Sequence, residues 1–168
     1  MYNKTMMIVV SSLVILITAA SITYHFMHDR SKVVPKISPQ VAVVTMGGQQ
    51  FNVDVAKTMA EQNQGLSGRT GLGEHDGMLF IFSIPGIQFF WMKDMNFSID
   101  IIWTRGGKIV GFQQNAPTPT ALGVTSTLKL PIYMSPGLVD NVIEVSSGEV
   151  AKLGLKVGDA VQINFGSK

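Results

Sequence analysis

Apolar residues fall in short runs separated by turn residues along most of the chain, and one block dominates. Residues 76–103, DGMLFIFSIPGIQFFWMKDMNFSIDIIW, hold both tryptophans and more than half of the phenylalanines. Within it, 78–82, 88–92 and 99–103 are each short and rich in aromatic or β-branched residues. Turn residues bound them, which is the signature of strands and not of helices. Pro85-Gly86 and the polar stretch 93–98 separate them, and consecutive strands tend to pair. The pattern therefore predicts an antiparallel meander at the centre of the fold.

Around this block the alternation is clearer. Residues 41–46 and 50–55 read as a hairpin closed by Gly47-Gly48, two residues that can both supply a positive φ. Thr58 with Glu61 forms a capping-box pattern that opens a short helix ending at Gly65. Residues 66–75 form a glycine-rich loop. Residues 108–114 follow another hairpin turn at Gly106-Gly107. The segment 115–137 carries four prolines and no period, although 128–134 could conceal an edge strand. Residues 141–145 read as a strand. Ser146 with Glu149 suggests a second capped helix ending near Leu153-Gly154, and 160–165 is a terminal strand. The prediction is a mainly β domain, a small β-sandwich or partly closed barrel with two short helices.

The N-terminus has a different pattern. Residues 6–24 carry no charge and are long enough, as a helix, to span the roughly 30 Å of a bilayer core. The expected organisation is a tail at 1–5, a transmembrane anchor at 6–24, a proline-bearing stalk at 25–40 and the β domain at 41–168. A cleaved signal peptide is the rival reading, because Thr18-Ala19-Ala20 resembles a cleavage site. The apolar run continues past those residues, which favours the anchor. Basic residues are more numerous after the segment than before it, which would leave the domain in the cytoplasm. Long following domains translocate largely regardless of such charges, so the expected placement is extracytoplasmic, with the membrane engaged through 6–24.

Composition narrows the function. Of 13 basic residues, Lys4, Arg30, Lys32 and Lys36 precede the domain, and of 11 acidic ones only Asp29 does. Nine basic and ten acidic residues remain, so the basic pI belongs to the stalk and no nucleic-acid surface is expected. The absence of cysteine excludes disulfides and thiol chemistry. No nucleophile elbow, Walker loop or dinucleotide fingerprint is present. His75 is the domain's only histidine, and its neighbours Glu74 and Asp76 cannot converge with it on a metal without a sharp turn. No metal and no cofactor is expected.

The motifs GLSGRTGL (65–72), DGMLFIF (76–82), FFWMKDM (89–95), IDIIW (99–103) and VIEVSSGEVAKLGLKVGDAV (142–161), taken in order, resemble the DUF192 (UPF0127) family. The resemblance covers residues 53–164 and implies a compact β-rich domain, often behind an export signal or anchor. It implies no biochemical activity, because the family is defined by sequence and fold. The family pattern falls on Glu61, Gly65, Leu66, Arg69, 77–80, 90–93, Asp100, Pro117 and Glu144. The chain departs from it at Ser67-Gly68 and at Asp94-Met95.

Five residues are candidates for binding a ligand: Arg69, Trp91, Lys93, Asp100 and Asn115. Lys93 and Asp100 flank one connection and could form an ion pair, either pinning a hairpin or rimming a cleft. On a strand, Phe90 and Met92 would face the core, leaving Phe89 and Trp91 to be covered by the 115–137 loop or exposed as a platform. Arg69 could clamp an anion or pair with Glu61 or Asp76. Glu144 is either solvated or accepts backbone N–H groups of a loop. The expected function is a binding or accessory domain for a small polar ligand or an envelope partner. The alternatives are a carboxylate-based hydrolase of envelope polymers, using Asp100 and Glu144, and a purely structural partner of another membrane protein.

Overall fold

A computed structural model of the protein describes residues 40–166. The expected tail, anchor and most of the stalk lie outside the described residues.

Nine strands build the domain: β1 (Gln40–Met46), β2 (Gln49–Ala56), β3 (Asp76–Gly86), β4 (Phe89–Trp91), β5 (Ile99–Arg105), β6 (Lys108–Ala116), β7 (Ile132–Met134), β8 (Val139–Ser146) and β9 (Val161–Phe165). Seven of them form one sheet in the order β6-β5-β8-β3-β2-β1-β9. The sheet curls until its edges meet, with Lys108 of β6 bridging Ala160 beside β9. The Ile109 N–H donates to Asp159 O and the Val161 N–H to Gly107 O across this seam, at 2.9 and 2.8 Å. The domain is thus a partly closed barrel and not a two-sheet sandwich.

Both glycine hairpins form as expected. Gly47 and Gly48 have φ of 56° and 80°, and Gly106 and Gly107 have 56° and 72°, the pair of positive values that a two-residue hairpin needs. The first helix, α1 (Met59–Gln64), carries the complete capping box between Thr58 and Glu61 and stops at Gly65. Hydrogen bonds from the Thr58 and Lys57 N–H groups hold the Glu61 carboxyl below its ordinary pKa. The second helix, α2 (Glu149–Lys152), lacks the expected serine cap; its N-cap is Gly148 in the left-handed region, with no side-chain cap bond.

The central meander does not form. β8 lies between β3 and β5, and β4 leaves the sheet altogether to pair with β7 as a separate two-stranded flap. The cause is long-range: β3 and β5 each match β8 over five or six residues, a far longer ladder than the three-residue β4 can offer either of them. The edge strand foreseen within 128–134 is β7.

Because the sheet is covered on both sides, it supports two cores. Val44, Phe51, Val53, Leu79, Ile102, Ile143 and Val145 fill the barrel interior with Val150 of α2. On the outer face, Met78, Phe80, Ile101, Trp103 and Val142 pack beneath Leu66, Met92 and Met95, with Phe90 and Tyr133 of the flap against them. Strands buried on both faces read as continuous apolar runs, which is why 78–82 and 99–103 show no alternation.

Candidate functional site

Alternation along the strands decides where each acidic side chain goes. Ile101 is the cross-strand partner of Glu144, and Asp100 that of Val145. Val145 belongs to the interior core and Ile101 to the outer one. Asp100 and Glu144 therefore occupy opposite faces of the sheet. The paired-carboxylate geometry of a hydrolase is not available to them, since both groups would have to flank one bond.

Asp100 is fully buried and acts as a backbone clamp. Its Oδ1 accepts the Asn115 N–H at 2.7 Å, and its Oδ2 accepts those of Gly148 and Val150 at 3.1 and 2.8 Å. The N-terminus of α2 is thus capped from β5, which explains why Ser146 and Ser147 are not needed for that role. Asn115 adopts a φ of 52°, and its Oδ1 accepts the Ser147 hydroxyl at 2.5 Å. Asp100 and Asn115 come together, but as a knot tying β5, β6 and the β8–α2 turn. The expected Lys93–Asp100 pair is absent. Lys93 stays at the surface, with Nζ 3.9 Å from Asp94 and 5.9 Å from the Trp91 ring centroid, because Asp100 points into the barrel.

Arg69 pairs with Asp54 at 2.7 Å, and not with Glu61 or Asp76. Its loop is stitched to the 93–96 connection: the Ser67 hydroxyl donates to Lys93 O, the Gly68 N–H to Asp94 O, and the Asn96 amide to Arg69 O. Lys93 borders a shallow concavity shared with Asn96, Thr120 and Thr127.

A deeper cavity, of about 260 Å³, opens on the outer face between α1, β3 and β4. Phe80, Phe82 and Phe90 supply aromatic walls, with half-exposed Trp91 at the rim, and Gln62, Gln64 and Gln88 supply amides. Phe80 and Phe90 meet edge to face at 5.0 Å. Glu144 reaches this cavity from the sheet beneath. It is 5% exposed and flanked by Met78 and Ile101 on the neighbouring strands. Desolvation pushes its carboxyl up to about 8, opposed only by the charge of Arg69, and no hydrogen bond relieves it. Gly77 allows β3 and β8 to approach this closely, since a Cβ there would lie 2.5 Å from the Glu144 carbonyl oxygen.

Of the five ligand candidates, Trp91 lines this cavity, Lys93 borders the neighbouring concavity, and Arg69 is committed to Asp54. Glu144 enters as neither a solvated group nor an acceptor of loop N–H groups. The glutamines carried no local signal and Phe80 and Phe82 only that of a strand; the usable hint was that an acid inside VIEV, in a sheet buried on both faces, must be buried too. Among the described residues, no group of three histidine or acidic side chains is placed to hold a metal.

These features define a class, a curled β domain whose outer face carries a second core and a cavity floored by a buried acid. Residues 42–163 match the model of DUF192, described as "Uncharacterized ACR", and the chain belongs to that family. The fold is similar to that of a Novosphingobium aromaticivorans DSM 12444 protein of unknown function (29% identity, TM-score 0.63, covering 77% of this chain and 90% of that one). It is also similar to a Sinorhizobium meliloti 1021 protein described as a candidate transcription regulator (24% identity, TM-score 0.63, 75% and 94%), a likeness of fold alone. No curated protein matches the chain in sequence.

Proposed function

We propose that the protein is a non-catalytic binding domain that takes a small polar ligand into the cavity between α1, β3 and β4. The observation that carries this reading is Glu144, a buried carboxyl without a hydrogen-bond partner among the described residues, at the base of an accessible cavity. A carboxyl kept largely from water and open only to the cavity is held at a cost that a ligand bonding it can recover. Aromatic walls with a few convergent polar groups are the usual make-up of a small-molecule site. Titration of the labelled protein with a panel of small polar metabolites tests the reading. Resonances of Leu66, Phe80, Trp91 and Met95 shift together for a true ligand; shifts confined elsewhere would refute it.

The N-terminal apolar segment supports a membrane-anchored domain held outside the cytoplasm. A reporter fused after Lys168 checks this. Active phosphatase places the domain outside, whereas cytosolic fluorescence with a silent phosphatase refutes it.

A second reading, that of a structural partner to an envelope protein, draws on the flap. Phe89 pairs with Met134 and Trp91 with Ile132, so four large apolar side chains share its outer face. They are 64, 58, 50 and 65% exposed in that order, and the 115–137 loop does not cover them. A photo-cross-linker at Ile132 would capture such a partner at this face.

A further inference from the structure

Resting on the reading of this cavity as a binding site, we propose that its ligand is an organic cation, a primary ammonium held between the Glu144 carboxylate and the aromatic wall. The lining contains one acid and no basic side chain. An ammonium is the complement that meets both halves of such a site: it gives the carboxylate charge-assisted hydrogen bonds and is attracted to ring faces. A neutral polyol would satisfy the amides but leave the acid uncharged and the ring faces without a cation. The Lys93 ammonium already sits over the Trp91 ring, so the ring faces left to a ligand inside the cavity are those of Phe80, Phe82 and Phe90.

The charged surroundings of Glu144 are few. Its neighbours on β3 and β5 are Met78 and Ile101, and on β2 the same row passes through Asp54, which Arg69 neutralises. From α1, Gln62, Asn63 and Gln64 face the cavity, all neutral; from the 92–98 connection Met95 does, while Lys93 and Asp94 face the other concavity. Phe90 contributes the only flap side chain turned towards the core on β4, and it is uncharged. The nearest basic group is therefore Arg69, already held by a carboxylate.

Proton balance follows from burial. At neutral pH the free protein holds Glu144 mostly as the acid, with its carboxyl near 8. When an ammonium enters, the acid gives its proton to solvent, the carboxylate takes the ammonium, and close to one proton is released per ligand. Affinity for the cation then falls by about tenfold for each pH unit below 8 and is level above it.

Titration with n-pentylammonium and with n-pentanol, matched in shape, tests the assignment in the full-length protein. Expected at pH 8 is at least tenfold tighter binding of the ammonium, with proton release seen as a buffer-dependent heat at pH 7. Glu144→Gln, which imitates the protonated side chain, brings the two probes within about twofold and removes the pH dependence. Phe82→Leu, at a partly buried wall position, weakens the ammonium several-fold and the alcohol little. Equal affinity for the two probes, or selectivity that survives Glu144→Gln, overturns the assignment. If pentanol or methyl glucoside shifts the cavity resonances without ammonium preference, the cavity remains a binding site and only the cation is wrong. If none of the three probes shifts them, both readings fall.

Discussion

At the residue scale, two buried acids in adjacent strands show how partners decide what a carboxylate does. Asp100 accepts three backbone N–H groups and organises local structure; Glu144 accepts none and is held towards its protonated form. Asp100→Asn keeps the shape but turns one acceptor into a donor facing N–H groups. It should lower unfolding free energy by about 3 kcal/mol, the scale of breaking a buried charged hydrogen-bond set, as read by urea denaturation. Glu144 behaves in the opposite way. Its folded value of about 8 lies above the ordinary 4.5, so the folded state keeps a proton that the unfolded chain has lost. The group's contribution is complete below pH 4.5, declines as pH rises to 8 and is flat beyond. Glu144→Gln should match the wild type in melting temperature at pH 4.5 and exceed it at pH 8, by up to about 4 kcal/mol in stability. Equal melting curves at both pH values would contradict the burial of that carboxyl.

At the element scale, the strands were legible and their neighbours were not. Periodicity and turn residues located every strand of the barrel to within a few residues, because pleat alternation and positive-φ glycines are local properties. Pairing is not local. Whether 78–82 meets 88–92 or 141–145 depends on ladder length and on which faces must be covered, and a seventeen-strong apolar sequence block carries no label for either. The same limit hid the site. Glu144 is unremarkable in VIEV until β3 and β5 close on both sides, and the cavity walls come from α1, β3 and β4, consecutive elements far before it in the chain. The flap's inner and outer faces make a testable contrast. Phe90→Ala removes a side chain packed on Phe80 and should cost about 2–4 kcal/mol. Phe89→Ser with Ile132→Ser changes only exposed positions and should stay within about 0.5 kcal/mol of the wild type.

At the scale of the whole molecule, the seven-stranded sheet serves as a rigid plate with different work on its two sides. The interior core and the seam at Lys108–Ala160 lock its curvature. The outer core carries movable parts: a six-residue helix, a stitched loop and a flap whose two strands share only a three-residue ladder and lie outside the main sheet. A cavity bordered by such parts can admit a ligand without disturbing the plate, because local openings draw on the least-packed elements. Hydrogen exchange on the full chain separates the two layers. Amides of β3, β5 and β8, central in the sheet, should exchange only through global unfolding. Those of β4 and β7 should exchange through a cheaper local opening, at least a hundredfold faster. A ligand in the cavity bridges α1 to β4 and should slow β4 and β7 selectively, leaving the central strands at their unliganded rates until global stability itself rises. Uniform protection of flap and barrel in the free protein would instead mean that the two layers open as one, and that entry to the cavity requires no movement of the flap.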